Sequence, residues 1–166
     1  MRKYELPSFL SKRVSHEVYE HWLRRRAQSH VKRDRRRGNK EAIGELYRIA
    51  IHEAVLKSDG CDAYTGEELN WRLISQFNNY EAQEHGRHYK RKFALLPTVD
   101  HVGDGKGRPD FKICALRTND AKNDLALFEF VSICRAVLEH LGYVVKQGGK
   151  RIRLRSGPTG PAASRG

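Results

Sequence analysis

The sequence predicts an α+β fold in which basic helices come first and a small unit of two strands and a helix follows. In the N-terminal segment, apolar residues recur at the spacing of an amphipathic helix. After residue 92, two short apolar runs flank a glycine-rich stretch, and an amphipathic run comes behind them. The 166 residues, of which 39% are hydrophobic, suffice for one domain with tails and exclude two large lobes.

Residues 1–58 predict a basic helical hairpin. The first helix spans about residues 15–37 and ends in a run of arginines before Gly38, because cations suit the C-terminal end of the helix dipole and glycine favours a stop. A second apolar face runs from Ile43 to Ala54, and Asp59-Gly60 closes that helix. Two helices with so short a connection are expected to lie side by side.

The second predicted domain covers residues 59–145 and carries the strands. The apolar run 93–102 indicates a strand, and the glycine-rich run 103–110 indicates a loop. Residues 111–116 indicate a second strand, and apolar residues at steps of four and three indicate a helix from about Asp120 or Asn123 to Leu141. The predicted order is therefore strand, loop, strand and helix.

Three further segments are less regular. Residues 61–80 begin with turn-forming residues and predict a strand followed by a short helix, while residues 81–92 are polar enough for an exposed connection or a phosphate-facing loop. Residues 146–166 contain six basic and no acidic side chains among many Gly, Pro, Ser and Ala residues. We expect this last segment to be a basic, largely disordered tail.

The charge distribution points to a polyanionic partner. The chain has 32 Lys and Arg against 20 Asp and Glu, a formal net charge of +12, and residues 1–40 alone have 13 basic and 4 acidic side chains. Such an excess favours contact with DNA, or alternatively RNA, although a merely solubilising surface has the same composition. The candidate phosphate contacts in this region are Arg24, Arg25, Arg35, Arg36 and Arg37.

Cysteine content and hydropathy bear on the compartment. The three cysteines are an odd number without a C-x-x-C pair, which argues against a disulfide framework and a four-cysteine zinc site. No apolar run approaches the roughly 18 residues of a membrane-spanning helix, and the N-terminus lacks the apolar stretch of a signal peptide. We therefore expect a soluble, intracellular, cytoplasmic protein with no membrane partner.

Polar side chains meet at one corner of the predicted strand and helix unit. Asp100 and His101 end the first strand, and Asn119 lies where the helix after the second strand begins. Hydrolysis of a phosphodiester needs a base that activates water and a cation that holds the phosphate oxygens. A neutral imidazole suits the first task near pH 7, and Mg²⁺ prefers carboxylate and amide oxygens as ligands. These residue types therefore favour phosphodiester hydrolysis.

These elements resemble the HNH, or His-Me finger, endonucleases over about residues 93–141. Leu96-Pro97-Thr98-Val99-Asp100-His101-Val102 is similar to the Asp-His element on the first strand of that family. Ile113-Cys114-Ala115-Leu116-Arg117-Thr118-Asn119-Asp120-Ala121-Lys122 is similar to the element that joins its second strand to a helix and ends in Asn-x-x-Lys. The resemblance implies a ββα-metal unit and a divalent-metal-dependent endonuclease that hydrolyses DNA.

The resemblance also implies a role for each matching residue. His101 would be the general base, with Asp100 and Asn119 binding one divalent metal ion, Mg²⁺ first and Mn²⁺ or another ion as alternatives. Asp110 stands where the family has an Asn that orients the catalytic histidine, and Asn119 stands where many members have His. The paired cysteines that bind structural zinc in many members are absent, so no structural zinc is expected. Lys122 and Arg117 would hold the DNA backbone.

Structural and non-catalytic interpretations of the same residues are also possible. Asp100 and His101 also suit a structural ion pair at a strand end, and Asn119 suits the cap of a helix. One alternative function is a non-catalytic nucleic-acid-binding protein with an HNH-like fold. Another is a protein-interaction domain whose basic segments bind an acidic partner or RNA.

Overall fold

The computed structural model describes residues 4–146 of the chain. It divides the chain into two compact units, Met1–Leu127 and Phe128–Gly166. The fold is mixed α+β, as predicted, with five α-helices and a two-stranded antiparallel sheet among the described residues. The tail predicted over residues 146–166 lies outside the described residues, apart from Lys146. Within the described part, no helix has the length and apolar character needed to cross a membrane.

Two long helices form where the N-terminal hairpin was predicted. Helix α1 is His16–Arg36 and helix α2 is Gly44–Ser58. The hydroxyl of Ser15 caps α1 by accepting a hydrogen bond from the backbone N–H of Val18 at 3.3 Å. The sequence prediction of two adjacent helices is confirmed, since α1 and α2 pack against each other over many residues.

The sheet is a hairpin of strands β1 (Pro97–His101) and β2 (Phe111–Ala115). Its register pairs Pro97 with Ala115 and His101 with Phe111. A proline is tolerated as the first residue of β1 because it donates no ladder hydrogen bond. Helix α4 (Leu116–Lys122) begins directly after β2, so its side chains are placed beside the hairpin.

One hydrophobic core joins the two long helices to the hairpin. Aromatic side chains dominate it, because three of its largest fully buried residues are Trp71, Tyr19 and Tyr47. The indole of Trp71 comes from a 3₁₀ turn (Trp71–Ser75) and packs edge-on against Trp22 of α1, with 5.5 Å between ring centroids. Residues of β2 pack on α2. This packing sets where the end of α1 meets the end of β1.

The structure corrects three local expectations. Residues 81–92 are not an exposed connection but most of helix α3 (Asn79–Lys92), which bends at Gly86, where φ is 53°. Tyr89 lies one helical turn before Phe93, and packing of these two rings stabilises the helix. The polar composition of the segment gives no sign of this packing. Residues 61–80 contain no extended strand, only an isolated bridge between Cys61 and Glu68 and the 3₁₀ turn Trp71–Ser75.

The third correction concerns the helix predicted from Asp120 to Leu141. It is two helices, because α4 ends at Lys122 and α5 is Leu127–His140. Asn123 separates them with a φ of 51°, a conformation that asparagine tolerates better than most residues and that helices cannot continue through. The spacing of apolar residues is nearly continuous across this break, so periodicity alone did not reveal it.

Candidate active site

The carboxylate of Asp100 lies between a cation and a phenol. Lys122 of α4 places its Nζ 3.1 Å from one carboxylate oxygen and 3.3 Å from the other, and the hydroxyl of Tyr64 donates a hydrogen bond to the same group. Asp100 is only 6% exposed. Burial, and then the hydrogen bond to Asp100, raise the pKa of Tyr64, so this phenol stays a donor. The three side chains form a compact polar cluster.

Asn119 lies on the same helix as the cation that contacts Asp100. Residues three apart share a helix face, so Asn119 and Lys122 are neighbours on α4. Asn119 lines a cavity with Thr98 of β1. Among the described residues, no hydrogen bond joins Asn119 to Asp100. The predicted metal ligands Asp100 and Asn119 therefore come from β1 and α4, and Lys122 of α4 contacts the Asp100 carboxylate.

His101 extends to the opposite side of β1, as consecutive residues of a strand do. Its Nε2 is 3.0 Å from a carboxylate oxygen of Asp34, and its side chain is 7% exposed. The ring packs edge-on against Phe111 with 5.0 Å between centroids. Neither ring nitrogen is reached by solvent or makes an aligned hydrogen bond, so the contact with Asp34 is one of proximity. Asp100 and His101 are thus adjacent but diverge.

Asp34 is a site residue that the sequence analysis missed. It is fully buried at the end of α1, and the hydroxyl of Tyr47 donates to its carboxylate at 2.7 Å. Arg33 also approaches it, with 3.3 Å between Nε and Oδ1. The sequence held one signal, since Asp34 is the single acidic residue within the basic run from Lys32 to Arg37. An acidic residue within a basic run is expected where its carboxylate is buried and needs polar partners.

The glycine-rich loop after β1 closes on Asp34. Gly105 has a φ of 78°, and a Cβ there would lie 2.7 Å from an Asp34 carboxylate oxygen, so only glycine fits without movement. The side-chain amide of Asn39 donates to the carbonyl oxygens of Gly105 and Gly107, at 2.8 and 3.3 Å. The loop is therefore held against the C-terminal end of α1, next to the His101 contact.

The remaining predicted site residues lie farther from this corner or are otherwise engaged. Asp110 has an exposed side chain, and its backbone carbonyl accepts from Val102 at 2.9 Å, which closes the loop. Arg117 is exposed and forms an ion pair with Glu67. The candidate phosphate contacts Arg24, Arg25, Arg35, Arg36 and Arg37 are all exposed along α1 or at its end.

The donor set fits a hard divalent cation more readily than zinc. Asp100 and Asn119 offer carboxylate and amide oxygens, the ligands that Mg²⁺ accepts while keeping water and phosphate in its other positions. The ammonium group of Lys122 already lies on the Asp100 carboxylate, so positive charge is accommodated there. Across residues 4–146, no cluster of three or more His, Cys, Asp or Glu side chains has metal-binding geometry. The described cysteines Cys61, Cys114 and Cys134 are unpaired thiols.

A buried histidine beside this site makes stability depend on pH. Burial, and then the charge of Arg33 and proximity to His101, lower the pKa of His30 to about 3. The guanidinium of Arg33 contacts Nδ1 of His30 at 2.8 Å, a contact that requires a neutral imidazole as acceptor. Between pH 6.5 and about 3 the unfolded chain binds a proton that the folded chain does not. We expect the free energy of unfolding to fall as pH falls through this window, by up to about 1.4 kcal/mol per pH unit from this group.

Urea unfolding at pH 7, 6 and 5 tests this expectation. Carboxylates also titrate at the acid end, so the informative quantity is the difference between the wild-type slope and that of His30→Asn. The substitution is expected to flatten the slope, whereas His88→Asn, at an exposed position of α3, is expected to leave it unchanged. Equal slopes in all three proteins would show that folding does not lower the pKa of His30.

Comparisons of the chain with known protein families, with curated proteins and with solved structures find no match.

Proposed function

We propose that this protein is a divalent-metal-dependent endonuclease of the HNH type that hydrolyses phosphodiester bonds in DNA. One observation carries the proposal. Asp100, the last residue but one of β1, contacts Lys122 of the helix that directly follows β2, in the chain order of strand, loop, strand and helix. The formal net charge of +12 supports a polyanionic substrate.

Each side chain has a separate role in the proposed reaction. Asp100 and Asn119 would hold the metal ion, which when bound supplies stabilisation of negative charge on the phosphate oxygens. Lys122 would leave the carboxylate and contact a phosphate instead, because both positions satisfy its charge. His101 would take the proton from the attacking water.

Asp100 and His101 diverge, so the proposed reaction requires a rearrangement of this corner. In an in-line displacement the nucleophile and the leaving oxygen lie on opposite sides of phosphorus, and the base and the metal ligands must reach the same phosphate. The imidazole of His101 would therefore turn from Asp34 toward the face of β1 that carries Asp100. Water must still reach His101, so the proposal includes movement of the loop that carries Gly105 away from Asp34.

Cleavage of supercoiled plasmid tests the proposal. The purified protein is expected to convert plasmid to open circles with Mg²⁺ or Mn²⁺ and to stop when EDTA removes the ion. Asn119→Ala is expected to lose cleavage, because one of two protein ligands is removed, while retaining DNA binding. Cleavage that continues unchanged in EDTA would contradict the metal-dependent mechanism.

A second candidate is a nucleic-acid-binding protein without catalysis. The observation that favours it is the complete enclosure of both ring nitrogens of His101. In that case Asp100 with Lys122 and His101 with Asp34 are structural pairs. Binding of DNA with no nicking under any divalent ion would favour this function over the nuclease.

A further inference from the structure

Two neighbouring cavities form one basic groove along α1. One cavity has a volume of about 780 Å³ and the other about 440 Å³. Both are lined by Arg26, Ser29 and Phe77, so they meet at these residues. The second cavity continues to Asn119. The groove, defined here by these two cavities, therefore runs from the middle of α1 to the candidate active site.

One stripe of α1 faces this groove. Trp22, Arg26, Ser29 and Arg33 follow one another at steps of four, three and four residues, which places them on a single helix face. All four line one or both cavities. The groove is therefore built by a regular element, and its arginines have fixed positions along the helix.

The groove has an excess of positive charge. Its first cavity includes Arg24, Arg25 and Arg26, and its only acidic lining residue is Glu17. Among the described residues, no carboxylate lies within ion-pair distance of Arg26. Burial, and then the neighbouring charge of Arg25, lower the pKa of Arg26 to about 10. An anion bound here would compensate a charge that no described carboxylate pairs with.

Apolar and aromatic side chains complete the walls. Trp22 and Phe77 line the first cavity, and Phe77 with Val99 lines the second. The ring of Phe77 is fixed by an edge-on contact with Phe93, with 5.2 Å between centroids. Aromatic faces beside a row of cations suit a nucleic-acid strand whose bases are unpaired, because a duplex keeps its base faces stacked inside.

We propose that the groove binds a single strand of nucleic acid, with phosphates on Arg26 and Arg33 and a base against Phe77, and directs it to Asn119. The direction of the strand rests on the proposed nuclease function. The binding of the strand does not rest on the nuclease function, since binding needs neither the metal ion nor His101.

The test measures binding in EDTA, where no cleavage occurs. The probes are a fluorescein-labelled DNA strand of about twelve nucleotides, a length within the site sizes of single-strand binders, the matching duplex, and a labelled polyglutamate peptide. Ser29→Glu introduces a negative charge where the two cavities meet, at an exposed position that should not disturb folding. Ser11→Glu is the matched control, at an exposed serine outside the groove. Arg26→Gln removes the unpaired cation.

The wild type is expected to bind the strand more tightly than the duplex or the peptide. Ser29→Glu should weaken strand binding about tenfold, the size of a lost base or phosphate contact, and Ser11→Glu less than about twofold. Arg26→Gln should weaken it and lower the slope of log K against log salt by about 0.7, the value for one phosphate on a single strand.

Equal weakening by Ser29→Glu and Ser11→Glu would overturn the proposal, as would tighter binding of the peptide or of the duplex. The two proposals fail separately. Groove-dependent strand binding without plasmid nicking would retain the groove and reject the nuclease. Cleavage of the single strand with Mg²⁺ that Ser29→Glu and Arg26→Gln leave unchanged would retain the nuclease and reject the groove.

Discussion

Replacing His101 by alanine is expected to reduce the rate of DNA cleavage by about 10²-fold to 10⁴-fold, the range typical of a lost general base. The reason is that His101 is the imidazole that ends β1 beside the Asp100 cluster. Binding of DNA should change little, because the side chain is 93% enclosed and touches protein groups instead of solvent.

Single-turnover cleavage of a labelled duplex with Mg²⁺ in excess measures this effect, with a binding titration in EDTA beside it. His88→Ala, an exposed histidine of α3, is the matched control and is expected to cleave at the wild-type rate. His101→Asn keeps a polar side chain of similar reach and guards against misfolding of the alanine variant. Cleavage at the wild-type rate in both His101 variants would remove this residue from the role of base.

Replacing Asp34 by alanine is expected to lower the free energy of unfolding by about 3 kcal/mol, a size typical of the loss of a buried polar network. The carboxylate is fully buried and accepts the hydroxyl of Tyr47 at 2.7 Å. Its loss leaves that hydroxyl without its acceptor, and an unsatisfied buried donor alone costs about 1–3 kcal/mol. It also removes the carboxylate oxygen that lies 3.0 Å from Nε2 of His101.

Urea denaturation at pH 7 measures this loss. Asp124→Ala, at an exposed position, is the control and should stay within about 0.5 kcal/mol of the wild type. Tyr47→Phe should have a smaller effect than Asp34→Ala, and the double variant should lose less than the two single variants together, because they share one hydrogen bond. An Asp34→Ala protein as stable as the Asp124→Ala control would show that the contacts of the Asp34 carboxylate contribute nothing to the stability of the fold.

Asp34 also connects the stability of the fold to the candidate site. The same carboxylate holds Tyr47 of α2, contacts His101 of β1 and lies against Gly105 of the loop. Movement of the loop, which the proposed nuclease requires, would expose this carboxylate to water. Packing of the core and access to His101 are therefore coupled through one side chain.

Local patterns were sufficient for α1, α2 and the β1–β2 hairpin. The apolar spacing and the glycine that follows predicted α1, and α2 formed where the second apolar face was predicted. The strands β1 and β2 and the loop between them were also predicted within a few residues. These predictions use the spacing of apolar residues that are close in sequence. The predictions hold because each of these elements buries the apolar face that its own spacing defines.

Other features depended on contacts that a local pattern does not contain. Helix α3 is polar along most of its length, and the packing of Tyr89 with Phe93 and Phe77 stabilises it. The break at Asn123 depends on one backbone conformation within an otherwise helical pattern. In both places tertiary packing or a single φ angle outweighed composition.

The sequence by itself determined that Asp100 and His101 end a strand and that Asn119 and Lys122 lie on the helix after the next strand. It also determined the excess of positive charge on the N-terminal helix, since charge is counted without any knowledge of shape. Only the tertiary structure decided that Lys122 contacts Asp100 and that Asp34, 67 positions before His101 in the chain, contacts its ring. Side chains so distant in sequence meet because burial of the aromatic core brings the end of α1 against the hairpin. A buried carboxylate requires polar partners, and the elements that surround it supply them.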